Sequence, residues 1–249
     1  MDKQAPFKEA SDEFLNSFLM NVNWADKFEL KRIFSDKEEI LSNARAIPER
    51  ILCSKTNKHV RLINAMTLKY STIMAYLKQG DSILDVCSGS GFGANILAKS
   101  DYKVTAVDIF TDIIRHRTGI EIYQGNVMAG LNMFKGFNGV TLIDCIEHFT
   151  QEAQIKLLSL IRNTLAPDGV LVIDTPHTNI SGYGSKNHLW ELSWRDFSEL
   201  VHQCGFKIEK KYQTIWLGDT GIGVTHEYTN NEPEQVDIAD QIIVARLHG

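Results

Sequence analysis

The chain has 249 residues, of which 43% are hydrophobic and 23% charged, and its formal net charge is −5 at pH 7. This composition is that of an ordinary globular protein with room for one large α/β domain. The acidic balance gives no electrostatic reason to expect nucleic acid as a partner. Four widely spaced cysteines without a Cys-x-x-Cys pair argue against zinc and against a disulfide framework, so we expect no metal and a reducing, cytoplasmic setting.

The first 60 residues show helical periodicity and no strand signal. Apolar side chains recur at helical spacing over residues 14–22, and Ser35 and Glu38 form a capping box for a second helix. No apolar run approaches the roughly 18 residues that a membrane-spanning helix needs, so no membrane insertion is expected. The sequence predicts a helical N-terminal extension or lid over residues 1–57, followed by a single domain over residues 58–249.

A broken amphipathic pattern over residues 58–78 predicts a helix that leads into residues 82–98, a buried strand followed by a glycine-rich turn and a second helix. Gly89 and Gly91 let backbone N–H groups approach a ligand closely, because glycine lacks a Cβ. Asp85, near the end of the strand, can receive a cationic or hydrogen-bond-donating group. The glycine pattern alone suits either a methyltransferase or a dinucleotide-binding protein.

Polar side chains also follow the later apolar strands. Asp108 ends a strand 19 positions beyond Gly89, where a carboxylate can accept both ribose hydroxyls of an adenosine ligand. Further strands are predicted at residues 120–127, 140–148 and 170–174, with a helix over 151–165 whose packed face carries Ile155. Since strands that alternate with helices form a parallel sheet that binds ligands at its carboxyl edge, these polar ends are predicted to meet there. They are Asp85, Asp108, Asn126, Asp144, His148 and Asp174.

The C-terminal third combines long loops with two closing strands. Residues 175–192 form a polar loop, Ser193 caps a helix, and a glycine-rich loop covers about 218–235. Strands over 206–211 and 241–246 follow without an intervening helix, which indicates an antiparallel hairpin at one sheet edge. The predicted fold class is a doubly wound, seven-stranded, mostly parallel α/β sheet with helices on both faces and this C-terminal hairpin.

The chain resembles class I S-adenosylmethionine-dependent methyltransferases over about residues 55–249. The resemblance rests on the glycine motif from Asp85 to Gly93, on Asp108, on the tip from Asp144 to His148 and on the turn from Leu165 to Gly169. The closing hairpin is expected of this fold and not of dinucleotide dehydrogenases. The resemblance implies S-adenosylmethionine as cofactor, with S-adenosylhomocysteine as product. It also implies a set of cofactor-binding residues, namely Asp85, Cys87, Gly89, Gly91, Asp108, Ile109, Asn126, Val127 and Asp144.

A finer resemblance is to bacterial methyltransferases of sugars and surface glycans. It is carried by residues 59–61, the Gly-Phe-Gly-Ala turn at 91–94, and residues 146–148, 174–176 and 187–192. It implies transfer of a methyl group to an oxygen or nitrogen on a small molecule or sugar/glycan. Arg61 would then meet the methionine carboxylate of the cofactor, because a guanidinium binds carboxylates bidentately.

Methylation of a hydroxyl or ammonium needs a base. His148 is the first candidate, since an ordinary histidine pKa near 6.5 suits that task. Similar sugar methyltransferases also place an aspartate after the fifth strand, here Asp174, while His177 and His188 are further catalytic candidates on the polar loop. Two alternatives stay open: an RNA or other nucleic-acid methyltransferase, and a scaffold that binds S-adenosylmethionine without turnover. The oligomeric state is also open.

Overall fold

The computed structural model describes residues 7–9, 66, 68–89, 91–109, 120–178, 188–217, 222–228 and 238–248 of the chain. The described strands are β1 (Phe7–Glu9), β2 (Ser82–Val86), β3 (Lys103–Asp108), β4 (Ile120–Gly125), β5 (Phe137–Leu142), β6 (Leu165–Pro176), β7 (Phe206–Leu217), β8 (Ile222–Glu227) and β9 (Ile238–Leu247). The described helices are α1 (residues 68–74), α2 (Phe92–Lys99), α3 (Val127–Gly130), α4 (Gln151–Arg162) and α5 (Trp194–Gln203). None of the helices in these ranges is both long and apolar enough to cross a lipid bilayer.

The described strands form one sheet in the order β1-β4-β3-β2-β5-β6-β9-β7-β8. Strands β4, β3, β2, β5 and β6 pair in parallel, and the strands at both ends of the sheet pair antiparallel. The predicted α/β fold with its closing antiparallel strands is therefore confirmed. The last strand, β9, lies between β6 and β7, and the hairpin of β7 and β8 forms the outer edge.

Alternate residues of the parallel strands enter two hydrophobic clusters, one on each face of the sheet. Leu84 and Val86 of β2 belong to the cluster that includes side chains of α4 and α5. Ile83 belongs to the cluster that includes side chains of α1 and α2. Because both faces are covered, the strands read as nearly continuous apolar runs, and this is what made them visible in the sequence.

Two strands were not predicted. β1 lies in the region where the sequence predicted no strand, and it pairs antiparallel with β4. β8 lies inside the predicted loop over residues 218–235 and pairs with β7. β1 and β8 are short strands at the two edges of the sheet. Main-chain hydrogen bonds to one neighbouring strand hold each of them, so neither needs a strong apolar pattern in its sequence. The rest of the proposed extension over 1–57, and Arg61, lie outside the described residues.

The predicted fourth strand and the helix after it differ in detail. β5 ends at Leu142, not at His148, because Asp144 adopts a left-handed φ of +47° and residues 146–148 form a 3₁₀ turn. Ile155 of α4 is 42% exposed, contrary to the predicted packed face. Its place inside is taken by Gln154, whose amide donates hydrogen bonds to the carbonyl oxygens of Ile146 and Trp190.

Candidate active site

The glycine-rich turn follows β2 and leads into α2. Cys87, Gly89 and Gly91 all have positive φ, at +58°, +55° and +73°. The N–H of Gly91 donates to the carbonyl oxygen of Ser88 at 2.9 Å, which closes the turn. A Cβ built on Gly89 would meet no atom within 4 Å, so its backbone conformation requires glycine while the space beside it stays open.

Asp108 connects the end of β3 to this turn. Its Oδ2 accepts a hydrogen bond from the N–H of Gly89 at 2.9 Å. The next residue, Ile109, is 54% exposed and presents apolar surface beside the carboxylate. Asn126 and Val127, two of the predicted cofactor-binding residues, follow β4 and make structural contacts. Asn126 Oδ1 accepts a hydrogen bond from the N–H of Met128 and caps α3, and Val127 is buried in the core.

Asp85 is buried, and its two carboxylate oxygens differ in their hydrogen bonds to the described residues. Its Oδ1 accepts hydrogen bonds from Tyr70 Oη at 3.1 Å and from Thr141 Oγ1 at 2.7 Å. Its Oδ2 has no hydrogen-bond partner among the described residues. Burial raises the pKa of Asp85 from its ordinary 3.8 to about 7. A buried acceptor without a donor is the arrangement that a cationic or N–H-bearing ligand group would complete.

Packing against Tyr70 is the reason for glycine at position 93, which the sequence analysis assigned to the ligand-binding turn. A Cβ on Gly93 would lie 1.8 Å from the Tyr70 ring, so this glycine makes room for the tyrosine. Tyr70 and its neighbour Lys69 were missed as site residues. The signal that could have found them is the apolar face of α1, since Lys69 and Tyr70 lie at helical spacing between Met66 and Ile73.

Lys69 is the centre of a buried ionic cluster at the carboxyl edge of the sheet. Its Nζ lies 2.5 Å from Asp144 Oδ1, 2.8 Å from Asp174 Oδ2 and 3.2 Å from Asp240 Oδ1. Burial opposes the charged ammonium, but the three carboxylates outweigh it and raise the pKa of Lys69 well above its usual range. Asp174, a predicted catalytic residue, is fully buried in this cluster and accepts the N–H of Asp144 at 2.7 Å.

Glu147, His148 and His188 form a second cluster at the 3₁₀ turn. The rings of His148 and His188 are 5.0 Å apart between centroids, and Glu147 Oε1 lies 3.9 Å from His148 Nε2. His148 is 42% exposed, whereas Glu147 is buried and accepts from Thr175 Oγ1 at 3.4 Å. Burial, with the nearby Asp144 and Asp174 charges, raises the pKa of Glu147 to about 9.

Main-chain hydrogen bonds hold His188 beside His148, although the two residues are far apart in sequence. The carbonyl oxygen of Glu147 accepts from the N–H groups of Leu189 at 2.8 Å and Trp190 at 3.2 Å. Leu189 and Trp190 are themselves 58% and 48% exposed, so apolar surface flanks the two imidazoles. The remaining histidine candidate, His177, is fully buried and bridges to Leu192.

The cysteine thiols show that the glycine turn and the 3₁₀ turn lie next to each other. Cys87 directly follows β2, and Cys145 lies between Asp144 and the 3₁₀ turn. Burial and a hydrogen bond with Cys87 raise the pKa of Cys145 well above its usual range. The parallel pairing of β2 with β5 places both at the same edge of the sheet.

A glycine turn after the first parallel strand, an acid after the next, and antiparallel closing strands together define a Rossmann-like methyltransferase domain. Residues 57–211 match the family model described as "Methyltransferase domain", and the chain belongs to this family. It is an S-adenosylmethionine-dependent methyltransferase, with S-adenosylhomocysteine as the cofactor product.

Individual relatives agree with this family. A protein of Geobacillus sp. (strain WCH70) named as a methyltransferase is 26% identical over 207 residues, which cover 64% of this chain and 83% of the relative. A protein of Mycolicibacterium smegmatis named as an S-adenosylmethionine-dependent methyltransferase is 25% identical over 145 residues, covering 55% of this chain and 56% of the relative. The crystal structure of a SAM-dependent methyltransferase from Archaeoglobus fulgidus has the same fold, with a TM-score of 0.59 and 18% identity over 74% of this chain and 94% of that chain.

Proposed function

We propose that the chain methylates an oxygen or nitrogen atom on a small molecule or a sugar/glycan. The observation that carries this proposal is the pair His148 and His188 at the carboxyl edge, flanked by the exposed Leu189 and Trp190. At this surface an acceptor can contact both the imidazole nitrogens and the apolar side chains.

We place the cofactor at the glycine-rich turn after β2 and at the end of β3. Gly89 and Gly91 offer close backbone approach, Asp108 would accept the ribose hydroxyls, and Ile109 would pack against the adenine. The unsatisfied Asp85 Oδ2 is suited to the cationic end of the methionine. When bound, S-adenosylmethionine supplies a methyl group on a positively charged sulfur.

Other predicted cofactor residues shape this part of the site. Asn126 holds the start of α3 through its cap, Val127 supports that helix from the core, and Cys87 sets the turn by its positive φ. Asp144 is partly exposed and presents its carboxylate next to Lys69. Arg61 stays a proposal for the methionine carboxylate, made from the sequence.

Activation of the acceptor falls to His148 and His188. A neutral imidazole offers a lone pair near neutral pH, which can take a proton or serve as a metal ligand. Both rings reach the surface, whereas Asp174 and His177 are fully buried. We therefore propose that the acceptor is deprotonated beside His148 and His188, and that Asp174 supports the site by binding Lys69.

The acceptor surface favours a molecule with an apolar face and hydroxyl groups. Trp190 is 48% exposed, and an indole of this kind stacks well on the apolar face of a sugar ring or on a planar ring. Polar groups from the histidine cluster lie beside it. This combination supports a sugar or a small cyclic molecule as the acceptor. A nucleic-acid strand is less favoured, because the net charge of the chain is −5. We propose that the reaction takes place in the cytoplasm.

Transfer of a labelled methyl group into cell-extract fractions tests the proposal. Metabolites, glycans, nucleic acid and protein are separated after incubation with the chain and labelled S-adenosylmethionine, and label in the first two fractions is expected. His148→Ala should lower turnover at least tenfold and leave cofactor affinity unchanged by calorimetry. His202→Ala is the matched control, because His202 is an exposed histidine in the last turn of α5. Label confined to nucleic acid would contradict the proposed acceptor class.

A further inference from the structure

We propose that Glu147, His148 and His188 bind a divalent first-row transition-metal ion, which takes the acceptor oxygen as an additional ligand. The inference rests on the proposed function, because the ion would act on the acceptor of the same methyl transfer. It was not foreseen in the sequence, where the cysteine spacing argued against zinc.

The ligand atoms already converge. One atom each from Glu147, His148 and His188 lies within 4.8 Å of the other two. Metal–ligand bonds of about 2.0–2.2 Å require separations of roughly 3–3.5 Å between ligand atoms, so the side chains need to close by at most about 1.3–1.8 Å. His148 is 42% exposed and His188 16% exposed, so both rings have room to rotate.

The outer contacts of His188 are those of a metal-binding imidazole. His188 Nδ1 lies 2.6 Å from Glu191 Oε1. A carboxylate at Nδ1 fixes the N–H there and leaves the lone pair on Nε2, the nitrogen that we assign to the ion. Glu191 is therefore a positioning residue in this arrangement, since it acts through His188.

The backbone holds the two ligand-bearing segments together before any ion binds. The Glu147 carbonyl oxygen accepts from Leu189 and Trp190, and Gln154 Nε2 donates to the carbonyl oxygens of Ile146 and Trp190 at 3.0 and 3.3 Å. Two direct hydrogen bonds and one bridge through Gln154 therefore join residues 146–148 to residues 189–190, directly beside His188. Such preorganisation lowers the cost of bringing ligands from separate segments onto one ion.

The donor set selects the kind of ion. Two imidazole nitrogens and one carboxylate oxygen suit Mn²⁺, Fe²⁺, Co²⁺ or Zn²⁺ better than Ca²⁺, which prefers oxygen ligands alone. The buried carboxylate of Glu147 would gain the cationic partner that a buried charge requires. Because His148 lies at the surface, the remaining coordination positions face the open side and can hold water or the acceptor.

The chemistry is that of a Lewis acid. A hydroxyl oxygen bound to the ion has a lowered pKa, so its O–H bond breaks and the proton passes to water. The oxygen keeps the electron pair and forms the new bond to the methyl carbon, while the carbon–sulfur bond breaks with its pair remaining on sulfur. No electron is gained or lost by the ion, so the step needs no oxidant or reductant.

Binding of Mn²⁺ and Co²⁺ to the chelator-treated full chain tests the inference directly. Mn²⁺ is followed by the loss of its free-ion electron paramagnetic resonance signal, and Co²⁺ by its visible absorption. One ion per chain is expected. Glu147→Gln and His188→Ala should weaken binding at least 100-fold, Glu191→Ala about 10-fold, and His202→Ala not at all.

Two outcomes would overturn the inference: no binding of either ion at 1:1, or equal binding by the wild type, Glu147→Gln and His188→Ala. Circular dichroism of each variant shows whether its fold is kept, and Glu191→Ala, whose side chain is partly exposed, tests the site if Glu147→Gln unfolds. Calorimetry of S-adenosylmethionine in excess chelator separates the two proposals. Cofactor binding and methyl transfer that persist without metal contradict the metal site alone, and a chain that binds Mn²⁺ but transfers no methyl group contradicts the proposed function.

Discussion

Asp85→Asn is expected to stabilise the protein at pH 8 while weakening cofactor binding. Asp85 is fully buried, and its pKa is raised by burial from 3.8 to about 7. At about 1.4 kcal/mol per tenfold change in proton affinity, holding the carboxylate ionised costs the folded state about 4 kcal/mol. Asparagine carries no charge and its Oδ1 can still accept from Tyr70 and Thr141, although its NH₂ group takes the place of the unsatisfied Oδ2.

The sign of the pH dependence follows from the raised pKa. Since folded Asp85 binds its proton more tightly than the unfolded chain does, its contribution to stability falls as pH rises from about 4 to about 7, and is then constant. Between pH 5 and pH 8 the wild type should lose about 2.5 kcal/mol that the variant retains. The unpaired NH₂ group costs roughly 1–3 kcal/mol at both pH values and cancels in this difference.

Urea unfolding of both proteins at pH 5 and pH 8 measures the difference, with Asp168→Asn as the control at an exposed acid. Calorimetry at pH 8 should show the variant binding S-adenosylmethionine at least tenfold more weakly. A variant whose stability varies with pH as the wild type's does would refute the burial argument. Unchanged cofactor affinity would refute the assignment of Asp85 to the methionine end.

The remaining predictions concern three other positions. Asp108→Ala should weaken S-adenosylmethionine binding by at least tenfold in calorimetry, and an unchanged affinity would remove the ribose assignment. Lys69→Met should lower the free energy of unfolding by about 3–5 kcal/mol, because it leaves buried carboxylates without their cation, and urea unfolding at pH 8 measures this. Gly93→Ala should cost about 1–3 kcal/mol, since its Cβ must displace the buried Tyr70 ring, and an unaltered melting curve would contradict that packing.

Local sequence patterns are enough to predict the parallel strands, the cap of α5 and the glycine turn. Strands buried on both faces appear as apolar runs in the sequence. Ser193 caps α5, because its hydroxyl oxygen accepts a hydrogen bond from the N–H of Asp196. The positive φ values of Gly89 and Gly91 are likewise a property of short-range backbone geometry. Such features depend on neighbours along the chain, so periodicity and residue type suffice to predict them.

Contacts between polar residues at the sheet edge depend on tertiary packing. Lys69 lies 75 positions before Asp144, and no local pattern links the two. Separation along the chain also hid the approach of His188 to His148 and the reason for Gly93, which is the ring of Tyr70. Asp174 lies inside β6 and is buried against Lys69, whereas His148 is exposed and His188 is partly exposed, a difference that the sequence does not indicate. Burial and charge pairing at a sheet edge depend on which strands and helices become neighbours. Those neighbours come from distant parts of the chain, so local sequence patterns do not reveal them.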